Sequence, residues 1–134
     1  MSRPAIYLDH NASAPLLPEA RAAMLAALEM TGNPSSVHAH GRALRDVVEK
    51  ARAQVAGLAG AERTQVVFTG SATEAITQAV VGGAKALGFD AIVVSAGEHQ
   101  AVLKAAEATG LPVMHAGLDA DGRIRVEDIA DAVR

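Results

Sequence analysis

Hydroxyl-bearing and small residues cluster between Phe68 and Glu74, where the chain reads Phe-Thr-Gly-Ser-Ala-Thr-Glu. The cluster follows a β-branched run, Gln65 to Thr69, and precedes a stretch of helical periodicity. The first N–H groups of a helix have no partner within it and can bind an anion, to which Thr69, Ser71 and Thr73 would add hydroxyl donors. The pattern matches neither the Walker A motif nor the dinucleotide glycine fingerprint. It indicates a phosphate cradle, and a capped strand-to-helix turn without a ligand is the alternative.

A second segment, Ser95 to Val102, reads Ser-Ala-Gly-Glu-His-Gln-Ala-Val and also joins an apolar run to a helical pattern. A histidine in a first helical turn, here His99, can present its ring face to a flat ligand. A solvated first-turn histidine is the alternative. Two such turns side by side form the carboxyl edge of a sheet, where open α/β folds bind ligands. We therefore expect the Thr73 hydroxyl and the His99 ring to lie in one pocket.

Two further segments indicate local structure when they are taken alone. Gly32 to Arg42 reads Gly-Asn-Pro-Ser-Ser-Val-His-Ala-His-Gly-Arg, which predicts a turn and then a helix capped by Ser35 or Ser36. Gly41 in that stretch indicates a late helix start or close packing, since glycine costs about 1 kcal/mol against alanine in a helix. Tyr7 to Asn11 reads Tyr-Leu-Asp-His-Asn.

Hydrophobic periodicity predicts short apolar strands that alternate with helices, which is typical of an α/β fold with a mostly parallel sheet and flanking helices. The predicted helices cover 18–30, a span around 44–58, 72–87 and 98–108, and a last helix begins at Glu127. The predicted strands cover 65–69, 91–95 and 111–115, with a short one at 123–126 and an extended arm or strand at 5–8. About three core strands make an incomplete sheet with an unpaired edge.

Composition excludes several kinds of function. The 134 residues suffice for one domain, and 12 Lys and Arg against 15 Asp and Glu argue against a nucleic-acid partner. No cysteine is present, so the chain itself offers no disulfide, cysteine-based zinc site or thiol nucleophile. The five histidines fall into no familiar ligand spacing, and we predict no metal site. With neither a signal peptide nor a membrane-length apolar stretch in view, we expect a cytoplasmic protein.

The four segments, in this order and at these separations, resemble the cysteine desulfurases of the class V aminotransferase group. The resemblance implies part of the large domain of a type I fold that binds pyridoxal 5′-phosphate. Residues 1–15 would be an N-terminal arm, and residues 16–134 the N-terminal half of the large domain, truncated. It implies that Ser71, Ala72 and Thr73 bind the cofactor phosphate, and that His99 stacks on the cofactor ring and acts in catalysis.

The resemblance also implies a function for a longer parent protein. That parent would remove sulfur from L-cysteine, giving L-alanine and a persulfide for iron–sulfur cluster assembly, as a homodimer that passes sulfur to an acceptor protein. The family's Schiff-base lysine and sulfur-accepting cysteine would lie beyond residue 134, and Lys50, Lys85 and Lys104 all fit solvated helix positions. We therefore expect an inactive fragment. Cysteine and selenocysteine both stay open as the substrate.

Two other functions stay open at this point. A non-catalytic module could keep the fold in order to bind a partner or assemble with a separate C-terminal half, and it would expose an apolar sheet edge. A small α/β protein could bind a phosphate ligand unrelated to pyridoxal chemistry. This chain has Gly70-Ser71 where the family has Ser-Gly, so a glycine of the phosphate turn is replaced by Ser71. We expect this replacement to tilt the geometry of phosphate binding.

Overall fold

The computed structural model describes residues 6–10 and 12–133, which fall into two compact units, with the sequence divided between Val67 and Phe68. The first unit holds α1 (Pro18–Leu28), α2 (Ala39–Ala59) and a 3₁₀ turn (Arg63–Gln65). The second holds α3 (Ala72–Leu87), β1 (Ile92–Ser95), α4 (Gln100–Glu107), β2 (Val113–Ala116) and α5 (Val126–Ala132). Residues 6–9 form no strand. The assignment of residues 1–15 as an arm stays a prediction.

The entry to α2 differs from the prediction. His38, not Ser35 or Ser36, is the N-cap, and its Nδ1 accepts a hydrogen bond from the Gly41 N–H at 3.3 Å. Ser35 and Ser36 belong instead to the turn that precedes the helix, in which the Ser36 N–H donates to the Asn33 carbonyl at 2.9 Å. The helix therefore starts only after this turn has closed.

Gly41 is buried and lies directly against that turn. A Cβ at this position would be 2.4 Å from the Ser36 carbonyl oxygen and 2.7 Å from the Asn33 carbonyl oxygen. Both are backbone atoms, which cannot rotate away as a flexible side chain can. Of the two alternatives predicted for Gly41, close packing is confirmed, and Gly41 lies inside α2, which begins at Ala39.

The strand predicted at 65–69 is wrong. Residues 63–65 form the 3₁₀ turn, which Gln65 stabilises by accepting a hydrogen bond from the Glu62 N–H through its Oε1 at 2.8 Å. Residues 66–69 form no ladder. A β-branched run becomes a strand only when a neighbouring strand satisfies its backbone groups, and within 6–10 and 12–133 only β1 and β2 pair as strands. The strand predicted at 123–126 is likewise reduced to one bridge, from Ile124 to Leu118.

The second unit confirms the α/β class. β1 and β2 run parallel in register, from Ile92 opposite Val113 to Ser95 opposite Ala116. The bounds of α3 are those that the sequence predicts, and α4 is shortened by two residues at its start and one at its end. Because the strands are parallel, their carboxyl ends lie at the same edge, and the turn into α4 leaves from that edge.

Small side chains make up the buried core. In the described ranges the buried apolar residues are Val94 and six alanines, and no large side chain is fully buried. Leu28 of α1, Leu58 of α2 and Leu87 of α3 remain 76%, 91% and 70% exposed. Burying a leucine is worth about 1.5–3 kcal/mol, so much of the available hydrophobic stabilisation is not realised within these residues. None of the helices formed by the described residues is long and apolar enough to cross a membrane.

Candidate functional site

Two side chains cap the start of α3, one from the N-cap residue and one from the first turn. Ser71 is the N-cap, and its Oγ accepts a hydrogen bond from the Glu74 N–H at 3.2 Å. The Glu74 carboxylate reaches back, and its Oε2 accepts from the Gly70 N–H at 2.8 Å. This is a capping arrangement displaced by one residue from the usual box, in which the glutamate bonds the N-cap N–H itself.

Three consecutive N–H groups remain open after this capping. Within the described chain, the backbone N–H groups of Ser71, Ala72 and Thr73 donate no hydrogen bond, and the Thr73 Oγ1 has no partner. These residues are exposed. Free N–H groups at the positive end of a helix, with two hydroxyls beside them, suit a phosphate dianion. The donor set therefore fits the phosphate of pyridoxal 5′-phosphate.

The Gly70-Ser71 order does not strain this turn. Ser71 has φ −161°, which is extended backbone open to any residue. Gly70 has no positive φ, and a Cβ there would come no closer than 3.4 Å to Glu74 Oε2, an ordinary contact. Either order of glycine and serine can therefore form this backbone, and the serine adds a cap that a glycine lacks.

His99 caps α4, and the hydrogen bond of its side chain sets the tautomer of the neutral ring. Its Nδ1 accepts from the Ala101 N–H at 3.1 Å, and its own carbonyl accepts from the Val102 N–H at 2.8 Å. A neutral imidazole that accepts at Nδ1 carries its proton on Nε2. Because the side chain is exposed, the Nε2–H group is the ring donor that a ligand can reach.

The turn between β1 and His99 is tied to the sheet edge. Ala96 extends the ladder by donating its N–H to the Ala116 carbonyl at 2.8 Å, and Ser95 Oγ accepts from the Gly97 N–H at 3.1 Å. A Cβ on Gly97 would lie 3.1 Å from Leu118 Cδ1, so glycine permits the close approach to the segment after β2. These contacts hold His99 just beyond the carboxyl end of β1.

The second unit contains all four of the predicted site residues. Ser71, Ala72 and Thr73 lie at the start of α3, His99 at the start of α4, and the two helices pack against one another. α4 also contacts β1. The Gly32 to Arg42 segment belongs to the first unit. That the Thr73 hydroxyl and the His99 ring hold one ligand stays a prediction.

The lysines lie where the sequence predicts, exposed on helices: Lys50 on α2, Lys85 on α3 and Lys104 on α4. Sequence reasoning missed the role of Glu74 at the cradle, although the Ser-x-x-Glu spacing from Ser71 is a recognisable capping signal.

Sequence reasoning also missed a contact between α5 and the residue that follows β2. There Asp128 Oδ2 accepts from the Gly117 N–H at 2.6 Å and pairs with Arg125 Nη2 at 3.0 Å. No local sequence signal points to this contact, because it joins residues eleven positions apart.

The aminotransferase class-V family model matches residues 6–134. The chain belongs to the class-V aminotransferase family. It is 45% identical over 131 residues to a cysteine desulfurase of Frankia sp. (strain EuIK1), covering 93% of this chain and 30% of that protein. It is 36% identical over 135 residues to the cysteine desulfurase IscS of Dictyoglomus turgidum, covering 96% of this chain and 34% of that protein.

A solved NifS-like protein has the same fold, with a TM-score of 0.82 and 28% identity over 94% of this chain and 36% of that one. This likeness confirms the fold that the sequence resemblance implies. The chain spans about a third of the length of the three relatives named above.

Proposed function

We propose that this chain supplies the phosphate cradle and the ring-stacking histidine of a pyridoxal-phosphate-dependent cysteine desulfurase. The observation that carries the proposal is the row of open N–H groups at Ser71, Ala72 and Thr73, at the position that the family resemblance assigns to the cofactor phosphate. The whole protein would act on L-cysteine as a homodimer and pass the sulfur to an acceptor protein. A cytoplasmic location stays a prediction.

The cradle residues would bind and orient the cofactor. The N–H groups of Ser71, Ala72 and Thr73 and the Thr73 hydroxyl would donate to the phosphate, and the α3 dipole would favour its charge. The cofactor, when bound, supplies the electron sink for bond cleavage at the substrate α-carbon. The protein contributes the position of the ring, since a phosphate anchored at one end leaves the ring free to turn unless a second contact holds it.

His99 would provide that second contact. A ring that stacks on the cofactor excludes water from one face, and its Nε2–H is free to donate a hydrogen bond because Nδ1 already accepts one from the Ala101 N–H. His99 would give up the Nε2 proton only after Nδ1 had taken one and released the Ala101 N–H. No lysine in the chain matches the family's cofactor-binding lysine, so we expect no L-alanine formation from this chain alone.

Titration with pyridoxal 5′-phosphate tests the cradle. Thr73→Val keeps the shape of the side chain but removes the hydroxyl donor, and we expect affinity to fall about three- to ten-fold, which corresponds to about 1 kcal/mol for one solvent-exposed hydrogen bond. Thr73→Ser keeps the hydroxyl and serves as the matched control. Equal affinities for the wild type and Thr73→Val would remove the Thr73 hydroxyl from the cradle, and equal binding of pyridoxal without its phosphate would reject the cradle as a whole.

A chimera tests the desulfurase activity itself. The corresponding third of the Frankia cysteine desulfurase is replaced by this chain, and release of L-alanine from L-cysteine is measured. We expect activity in the chimera and a large loss with His99→Asn, which keeps an N-cap side chain but removes the ring. An active chimera that is indifferent to His99→Asn would reject the role of the histidine, and a folded, inactive one would reject the desulfurase assignment.

Exposed apolar surface favours the second candidate, a non-catalytic assembly module. No residue of α1 is buried, and Leu28 on this helix is 76% exposed. Apolar side chains left in water favour association with other polypeptide. We expect sedimentation velocity to show self-association of the isolated chain, and a compact monomer across the concentration range would speak against this candidate.

A further inference from the structure

We propose that Glu74 is a positioning residue for the phosphate cradle, an inference that rests on the proposed function of Ser71, Ala72 and Thr73. Glu74 lies in the first turn of α3 and is exposed. Its Oε2 accepts from the Gly70 N–H at 2.8 Å, while its own N–H donates to Ser71 Oγ at 3.2 Å. The residue thus holds both the peptide before the cap and the cap itself.

These bonds set which donors a phosphate meets. Gly70 is the residue before the N-cap, and glycine there has little conformational preference of its own. With its N–H held by Glu74, the peptides that follow turn into the helix in one orientation. The N–H groups of Ser71, Ala72 and Thr73 are left for the anion. Glu74 therefore pre-organises the cradle by occupying the Gly70 N–H, a neighbouring donor that would otherwise be open to the anion.

The charge of Glu74 works against the same anion. A carboxylate near a helix N-terminus is stabilising for the helix, but it repels a phosphate dianion bound at the same end. The acceptor oxygen and the negative charge therefore have opposite effects on phosphate affinity. Substitutions can separate the two, because glutamine keeps an acceptor oxygen at the same position and alanine keeps neither oxygen nor charge.

The test is a titration of the full chain with inorganic phosphate, followed by the ¹H–¹⁵N amide signals of Gly70 and of the three cradle residues. We expect Glu74→Gln to bind phosphate about two- to five-fold more tightly than the wild type at low salt, with the difference shrinking as salt screens the charge. Glu74→Ala should bind about three- to ten-fold more weakly than Glu74→Gln, independently of salt, and its Gly70 amide should exchange faster.

A matched control changes charge without touching the cradle. Glu107→Gln, at the last residue of α4, alters the net charge by the same amount, and we expect phosphate affinity to match the wild type within two-fold. Equal affinities for Glu74→Ala and Glu74→Gln, or tighter binding by Glu74→Ala, would overturn the positioning role and leave the cradle standing. No phosphate response at the cradle amides of the wild type would overturn both the cradle and the role of Glu74.

Discussion

Replacing Gly41 by alanine is expected to destabilise the first unit, although alanine is the better helix former. The added Cβ would lie 2.4 Å from the Ser36 carbonyl oxygen, and real Cβ contacts essentially never fall under 3.0 Å. Either the turn or the helix must move. Movement would weaken the hydrogen bond from the Ser36 N–H to Asn33 and the bond from the Gly41 N–H to His38.

The magnitude follows from opposing contributions. Helix propensity favours alanine by about 1 kcal/mol. Overpacking against backbone costs about 1–3 kcal/mol, and each weakened hydrogen bond adds about 0.5–1.5 kcal/mol. The steric and hydrogen-bond costs outweigh the propensity gain, so we expect Gly41→Ala to lower the free energy of unfolding by about 2 kcal/mol.

Gly57 offers a matched control in the same helix. Apart from its two neighbours and the backbone of its own helical turns, no atom lies within 4 Å of a Cβ built at Gly57, so only propensity acts, and Gly57→Ala should raise the free energy of unfolding by about 1 kcal/mol. The assay is urea denaturation followed by far-ultraviolet circular dichroism, with wild type, Gly41→Ala and Gly57→Ala measured side by side. Opposite signs are expected. If Gly41→Ala stabilised the chain as Gly57→Ala does, the close packing against residues 33–36 would be refuted.

Two further substitutions probe the second unit. Ser71→Ala should cost about 1 kcal/mol of unfolding free energy, because the Glu74 N–H loses its cap, whereas Ser71→Asn keeps a capping oxygen and should lose little of that stability; urea denaturation compares the two, and equal costs would contradict a capping side chain at Ser71. Asp128→Ala should cost about 1–3 kcal/mol by leaving the Gly117 N–H unpaired, whereas Asp128→Asn keeps an acceptor and loses only the half-exposed ion pair with Arg125, worth under about 1 kcal/mol. Hydrogen exchange at the Gly117 amide checks this, and equal protection in both variants would contradict it.

Elements that depend on local signals could be predicted from the sequence. α3 begins directly after the N-cap Ser71 and ends directly before the C-cap Gly88, whose φ is 66°. Both ends therefore have residue types that specify them. β1 and β2 are short apolar runs that find each other as partners. Here the local pattern and the tertiary contacts agree, and the predicted bounds lie within two residues of the observed ones.

Elements that depend on distant partners could not be predicted from local pattern. The run at 65–69 has the composition of a strand, but no described strand lies alongside to pair with it. His38 displaces Ser35 and Ser36 as the α2 cap because the serine turn closes against Gly41, a steric event that propensity does not encode. At the candidate site, the four residues could be named from the resemblance. Two hydrogen bonds could not be predicted from the sequence, because they depend on side-chain conformation: the Ala101 N–H donates to His99 Nδ1, and the Gly70 N–H donates to Glu74 Oε2.

The most direct measurement is the map of amide shifts as pyridoxal 5′-phosphate is added to the wild-type chain. If the starts of α3 and α4 bind one ligand, the amides of Ser71, Ala72 and Thr73 and that of Gln100, next to His99, must shift together with a single dissociation constant. Shifts confined to one helix start, or two dissociation constants that differ, would contradict a shared pocket.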